Sequence, residues 1–193
     1  DVIPDLKDIG NFPFLKAPEG MIIASEKNGL SDFFEYETIH TYTGTDVLTT
    51  EGKLGIIRIE SNGSFPKKMF DASVSKYFEQ IGAKKIYEGA MPKDENLRNK
   101  LSKNTYSGEN YGHSIEVGDG YVPLYVYAFK NGGKKYIVNV QSLVVGNIFI
   151  MELKDFEQTI KKYTSKEIQA EIDKTGRAIL NINFDTDKAT LKP

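Results

Sequence analysis

The residues whose types and spacing could perform chemistry lie on one segment, from Phe33 to Thr43. Glu35 and Glu37 alternate on one face of a predicted strand, and a pair of carboxylates can carry out acid–base catalysis. His40 follows three residues later and could supply a general base. The same alternation is typical of any half-solvated strand, so we interpret the two glutamates as surface residues. The alternative is an envelope hydrolase or transferase that uses Glu35 or Glu37 with His40.

Other reactive side chains are few and widely spaced. The second histidine, His113, lies in a Gly-Tyr-Gly-His turn with no ligand spacing around it, and the chain has no cysteine. No Gly-x-Ser-x-Gly nucleophile elbow occurs, and the glycine-rich segments 118–120 and 131–133 lack the lysine and helix context of a phosphate-binding loop. The sequence therefore predicts no catalytic residue, no metal site and no cofactor.

Tyrosine is the residue type that most favours a binding role. The chain has 11 Tyr and no Trp, and several tyrosines recur at alternating positions of predicted strands. An aromatic face can stack on a sugar or peptide while its hydroxyl groups form hydrogen bonds, although such faces also serve as ordinary core packing. We nominate Tyr125 and Tyr127 as candidate ligand-binding residues on this basis.

The first elements that must position these residues form a predicted antiparallel hairpin. Residues 33–43 and 53–60 alternate as strands do, and we expect a loop over 46–52. On the first strand, one face is expected to hold Phe34, Tyr36, His40 and Tyr42. Residues 1–20 contain three prolines, which predict an extended arm laid over the core.

Helices are predicted after this hairpin and near the C-terminus. Ser64 and Pro66 favour a helix start, and Gly82 favours its end. A weaker helix is predicted over 93–101 and another over 154–163. The capping-box spacing of 164–167 opens a last helix to Gly176. The apolar residues at helical spacing in the first helix are Phe70, Val74, Tyr77, Phe78 and Ile81.

The clearest strand pattern predicts a four-stranded antiparallel meander. Its strands are expected at 111–117, 121–129, 135–143 and 147–153, with turn residues at each break. Because the second strand is apolar on both faces, we expect each face of the sheet to be covered by a helix, the arm or a partner. The resulting fold class is α+β, a mainly antiparallel sheet packed by two to four helices.

Composition limits the class of partner. The chain has 193 residues, and its 25 Lys and Arg nearly balance 27 Asp and Glu, for a formal charge of -2. Nucleic-acid-binding proteins usually show a basic excess or a basic stripe, so we expect no nucleic-acid partner. No apolar run approaches the length of a transmembrane helix, and we expect membrane association only through an anchor upstream of Asp1.

The C-terminal residues 176–193 carry an ordered series of residue types. Apolar side chains at 178, 180, 182 and 184 alternate along a predicted strand, and the polar residues 185–188 predict a turn. The order is Gly176, a hydrophobic strand ending in Phe184-Asp185, the turn Thr186-Asp187-Lys188-Ala189, and finally Lys192-Pro193. This order resembles the opening of the OmpA-like domain, an envelope module that binds peptidoglycan.

The resemblance implies a domain organisation and a location. We expect an uncharacterised α+β domain at 1–160, a helical connector at 161–176 and the first strand of a truncated OmpA-like module at 177–193. It implies a periplasmic protein, associated with the outer membrane and possessing a lipoprotein anchor upstream. Its partners would be peptidoglycan, through the remainder of that module, and an envelope protein or a second copy of the chain. Phe184 and Asp185 match the Phe-Asp near the pocket rim of such modules, so we nominate both as candidate ligand-binding residues.

Overall fold

The computed structural model describes residues 2–107, 112–118, 122–155 and 164–175. The chain divides into two compact units, 1–156 and 157–193. The elements, in chain order, are β1 (Ile22–Ile23), β2 (Asp32–Tyr42), β3 (Val47–Glu60), α1 (Lys67–Gln80), β4 (Lys84–Gly89), α2 (Glu95–Leu101), β5 (Thr105–Ser107), β6 (Gly112–Ser114), β7 (Leu124–Asn131), β8 (Lys134–Ser142), β9 (Gly146–Leu153) and α3 (Ser165–Thr175).

A seven-stranded antiparallel sheet forms the centre of the first unit. Its strands lie in the order β1-β3-β9-β8-β7-β4, and β2 also pairs with β3. β5 and β6 form a separate two-stranded sheet. The predicted α+β class with a mainly antiparallel sheet is therefore confirmed.

The predicted four-stranded meander was wrong in its first strand. β7, β8 and β9 are consecutive antiparallel neighbours, but β6 pairs with β5, and the other edge of β7 is occupied by β4. Pro123 immediately precedes β7 and has no N–H to donate, which favours a break at this point. Ile115, just after β6, is instead buried in the core on the side of the sheet away from α1.

The hairpin of β2 and β3 also differs from the prediction in two ways. The expected loop over 46–52 was wrong, because β3 begins at Val47 and only a tight turn precedes it, in which Thr43 donates its N–H to Asp46 O at 2.9 Å. A bulge between Phe34 and Glu37 shifts the register of β2 by one residue. As a result, Phe34 contacts the buried ring of Tyr106, whereas Tyr36 bonds to Glu51 on the outer side.

One face of the sheet, here called the helix face, packs against α1 and the N-terminal arm. The helix buries Phe70, Val74 and Phe78, and the predicted helix over this segment is confirmed, with Gly82 at φ +82° just beyond its end. The arm is fixed to β7, where Leu6 donates its N–H to Lys130 O at 2.8 Å. Sheet residues of the helix face are Ile57, Ile59, Tyr127, Phe129, Tyr136, Val138, Val140, Ile148 and Ile150.

The opposite face, here called the hairpin face, packs against the far end of the β2–β3 hairpin, α2 and the small sheet. Ile39 and Tyr42 from the hairpin are buried in this core with Leu101 from α2 and Tyr106 from β5. Both faces of the sheet are thus covered by the same chain, which the two-faced apolar pattern of β7 predicted. Sheet residues of the hairpin face are Leu54, Ile56, Leu124, Val126, Ile137, Phe149 and Met151.

The second unit contains α3. Glu167 Oε2 accepts hydrogen bonds from Thr164 N at 2.8 Å and from Thr164 Oγ1 at 2.6 Å, so the predicted capping box is confirmed. The helix predicted over 154–163 lies almost wholly outside the described residues, as does the segment 177–193. In the part of the chain that the structure describes, no helix has the length and hydropathy needed to span a membrane.

Candidate functional site

The two tyrosines nominated for binding lie on the helix face, next to α1. Tyr127 is 0% exposed, and its ring stacks on Phe78 with centroids 4.6 Å apart. Its hydroxyl donates a hydrogen bond to Ser75 Oγ at 3.2 Å. Tyr125 is only half-buried at the edge of the same core. Because α1 covers the Tyr127 ring, Tyr127 packs as a core residue in this structure, and Tyr125 alone of the pair reaches the surface.

The structure does not bring Glu35, Glu37 and His40 together. Glu37 Oε1 accepts the N–H of Thr38 at 2.8 Å, whereas His40 Nδ1 lies 3.0 Å from Thr49 Oγ1. Glu37 and His40 are an odd number of positions apart beyond the bulge, which directs their side chains to opposite faces of β2. Within the described residues, no hydrogen bond or ion pair joins His40 to either glutamate.

Burial and two lysines near the end of α2 perturb His40. Partial burial lowers the pKa of the imidazole, and the positive charges of Lys100 and Lys103 lower it further. An imidazole in this setting is an electrically neutral hydrogen-bonding group at neutral pH. This environment fits a role in holding β2 and β3 together through Thr49.

The remaining nominated residues fall outside the described part of the chain. Phe184 and Asp185 lie in the segment 176–193, and the side chain of His113 is likewise not described. Among the described residues, no group of three or more His, Asp or Glu side chains is placed to hold a metal ion.

A serine, a lysine and an aspartate meet where α1 begins and β8 ends. Lys67 Nζ donates to Asp71 Oδ2 at 2.5 Å and to Ser142 Oγ at 2.9 Å, and Ser142 Oγ donates to Asp71 Oδ1. Ser142 is only 2% exposed, so a substrate has no access to its hydroxyl. The three groups satisfy one another and attach the first turn of α1 to the sheet. The i,i+4 spacing of Lys67 and Asp71 was the only sequence signal of this cluster.

A second polar cluster closes one end of the helix face. Glu152 accepts hydrogen bonds from Lys134 Nζ and from the Tyr136 hydroxyl, both at 2.8 Å. Burial alone would raise the pKa of this carboxyl, but the hydrogen bonds from Lys134 and Tyr136 outweigh it and lower the pKa. Burial and the same hydrogen bond raise the pKa of Tyr136. The hydrogen bonds of this cluster join its three side chains to one another.

An open cavity lies in the N-terminal arm. It has a volume of about 750 Å³, is partly open to solvent, and is lined by residues 10, 11 and 13–17, by Met21 and β1, and by the loop that follows β1. Its floor contains the buried side chains of Met21 and Ile23, and Phe14 and Leu15 form a half-buried wall. The rim is polar and carries the exposed residues Asn11, Lys16, Glu26 and Asn28.

The wall of this cavity is held in place by contacts with the main core. Phe14 has φ +71°, a conformation that is rare for an aromatic residue, and its carbonyl accepts the Tyr77 hydroxyl at 2.6 Å. Its ring packs edge-on against Phe129 and Tyr136, with centroids 5.3 and 4.9 Å away. Sequence reasoning missed this site, because the arm has no period of 2 or 3.6 that could place its side chains.

We compared the chain with known proteins and found no similar one. No family model, no curated protein and no solved structure matches it. The class that the structure defines is therefore an α+β domain with a central antiparallel sheet and a ligand-sized cavity in its N-terminal arm.

Proposed function

We propose that this chain belongs to a non-catalytic bacterial cell-envelope protein, in which the first unit is a periplasmic binding or adaptor domain attached to a peptidoglycan-binding OmpA-like module. The location rests on the resemblance of residues 176–193 to the opening of that module. The helix α3 immediately precedes the matching residues, as expected for a connector. The outer-membrane and lipoprotein features of the proposal rest on the same resemblance.

The cavity in the arm is the observation that carries the binding role. Its volume of about 750 Å³ falls within the range of roughly 300–1,000 Å³ that is common for ligand sites. It combines an apolar floor with a few polar groups at the rim, which is the usual composition of such sites. The acid–base candidates Glu37 and His40, by contrast, point to opposite faces of β2, and neither of them lines this cavity.

Co-sedimentation with purified peptidoglycan sacculi tests the location. We would compare the 193-residue chain with the full-length protein encoded by its gene. If the OmpA-like module is the wall anchor, the full-length protein sediments with the sacculi and the 193-residue chain stays in the supernatant. In the full-length protein, Asp185→Asn should weaken retention, whereas the nearby Asp187→Asn is the matched control and should not.

Two results would contradict this assignment. Equal retention of the 193-residue chain would show that the wall contact lies outside the proposed module. Loss of retention for both proteins would remove peptidoglycan as a partner altogether.

A further inference from the structure

We propose that the arm cavity binds a short extended peptide, which adds as a strand to the free edge of β1 and places an apolar side chain on the cavity floor. This inference deepens the proposed binding role and rests on it, since it names the class of ligand for the first unit. Its central observation is the position of an edge strand inside a ligand-sized cavity: Ile22 and Ile23, the two residues of β1, both line the space.

The backbone of β1 provides unused hydrogen-bonding groups on the cavity side. β1 pairs only with β3 in the described sheet, through Ile22 opposite Glu60 and Ile23 opposite Ile59. Ala24 donates its N–H to Arg58 O at 2.8 Å, so the alternation of an antiparallel pair turns the N–H and C=O of Ile23 away from β3. One residue of an incoming strand can therefore form two backbone hydrogen bonds with Ile23.

The side chains around this edge favour an uncharged, partly apolar ligand. Met21 and Ile23 offer a buried apolar floor, and Ile22, which also lines the cavity, is 52% exposed. The rim contains one cation, Lys16, and one anion, Glu26, so its charge is balanced. A strongly acidic or strongly basic peptide gains no net electrostatic attraction from such a rim. A neutral peptide with apolar residues at alternate positions can place an apolar side chain on the floor while its backbone pairs with the edge of β1.

The backbone of the surrounding loops is held in an uncommon conformation. The non-glycine residues with positive φ in the described chain are Asp8, Phe14, Ser25 and Asn28, and all four belong to the arm and the loop after β1. Phe14 and Asn28 line the cavity itself. Strained residues of this kind persist where surrounding contacts over-determine them, and they cluster at ligand-binding sites. The fixed position of Phe14 gives the cavity a preformed wall, which lowers the entropic cost of binding.

Nuclear magnetic resonance titration of the 193-residue chain tests the proposal directly. The probe is a blocked, neutral pentapeptide with Val at positions one, three and five and Thr elsewhere, so that the central Val can lie opposite Ile23. We expect saturable shifts of the Ile23 amide and of the Met21 methyl group. A second peptide, identical but N-methylated at its central residue, cannot donate to the edge strand, so its affinity should fall by about tenfold or more. A peptide with Ser in place of Val should also bind more weakly.

A pair of matched protein variants tests the wall of the site. Ile22→Glu places a charge on the edge strand that lines the cavity and should weaken peptide binding by about tenfold or more. Leu48→Glu is the control, because Leu48 is also an exposed apolar strand residue, at 47% exposure, and lies outside the cavity. Unfolding temperatures of both variants show whether the fold is retained, and the N-methylated peptide needs no variant at all.

Three results would overturn the proposal. They are the absence of shifts at Ile23 with millimolar peptide, equal affinity for the N-methylated peptide, and unchanged binding by a folded Ile22→Glu variant. Each is independent of sacculus sedimentation, which depends on the C-terminal module. Failure of the peptide site and failure of the wall assignment are therefore distinguished.

Discussion

The two faces of the central sheet are covered in different ways. On the helix face, α1 seals one part with Phe70, Val74 and Phe78, and an arm with almost no regular structure covers the rest. On the hairpin face, strands and a short helix from the middle of the chain cover the sheet, and buried polar side chains join them. The arm leaves an open cavity of about 750 Å³ beside β1, whereas the hairpin-face cover is tied down by hydrogen bonds.

The hairpin face shows how side chains replace a missing strand. Asn104 accepts the N–H of His40 at 2.9 Å through Oδ1 and donates to His40 O at 2.5 Å through Nδ2, as a neighbouring strand residue would. The single proton of the Tyr106 hydroxyl is shared between Thr38 O at 2.9 Å and Asn104 Oδ1 at 3.1 Å. The outer edge of β2 is therefore satisfied there by two side chains, while the outer edge of β1 faces a cavity. We infer that the first edge is structural and the second is available to a ligand.

The largest expected effect comes from opening the sealed part of the helix face. Phe78→Ala removes a fully buried ring that stacks on Tyr127, and such substitutions lower the free energy of unfolding by about 3–5 kcal/mol. Chemical denaturation measures the change. Met69→Ala on the same helix is the control, since Met69 is 48% exposed and should change stability by less than about 0.5 kcal/mol. Equal effects of the two variants would mean that α1 does not seal this face as described.

A somewhat smaller effect is expected from breaking the side-chain pairing on the hairpin face. Asn104→Ala leaves the N–H and C=O of His40 without partners, which should lower the free energy of unfolding by about 2–3 kcal/mol. Asn104→Asp is the informative companion, because it keeps the acceptor for His40 N but cannot donate to His40 O. Because Asn104 is only 1% exposed, an ionised Asp also buries a charge and sets an oxygen against His40 O. In denaturation experiments, Asn104→Asp should therefore lower the free energy of unfolding at neutral pH at least as much as Asn104→Ala. If Asn104→Ala costs no more than an ordinary surface substitution, the edge of β2 does not depend on this residue.

Sequence periodicity predicted those helices and strands in which apolar residues recur at regular spacing. The helix α1 (Lys67–Gln80), the strands β7, β8 and β9, and the capping box at Thr164 follow from periods of 3.6 and 2 and from cap residues. The bulge in β2 could not be predicted, because one inserted residue reverses the faces of all later side chains without changing residue types. The pairing of β7 with β4 instead of β6 is a long-range choice that local pattern does not encode.

The candidate sites show the same limit of prediction from local sequence pattern. The alternation of Tyr125 and Tyr127 predicted a shared face, and both lie on the helix face, but alternation is identical for a binding surface and a core. Only the position of α1 decides that Tyr127 is buried. The arm cavity depends on residues from three separate turns, including Phe14 and Asn28 at positive φ, and no sequence signal marked it.

The smallest expected effect is a pH dependence of the free energy of unfolding. It is an electrostatic property of the segments that cover the hairpin face. His40 lies on the β2 strand that Asn104 secures, and burial, Lys100 and Lys103 lower the pKa of its imidazole below the usual value of about 6.5. As pH falls through that value, the unfolded chain binds a proton before the folded chain does, so this contribution to stability is full above about pH 7 and is lost as pH falls further below about 6.5. His40→Gln should flatten this slope of unfolding free energy against pH.

The titration of His40 itself can be followed by nuclear magnetic resonance in a His113→Gln background, which leaves one imidazole signal. Lys103→Gln removes one of the nearby positive charges and should raise the pKa of His40 toward its usual value, whereas Lys135→Gln, on β8, is the control and should leave it unchanged. A His40 pKa above about 6.5 in the wild-type chain would contradict the proposed environment, since neither burial nor a neighbouring lysine can favour the charged imidazole. A lowered value that Lys103→Gln does not change would assign the effect to burial and Lys100 alone.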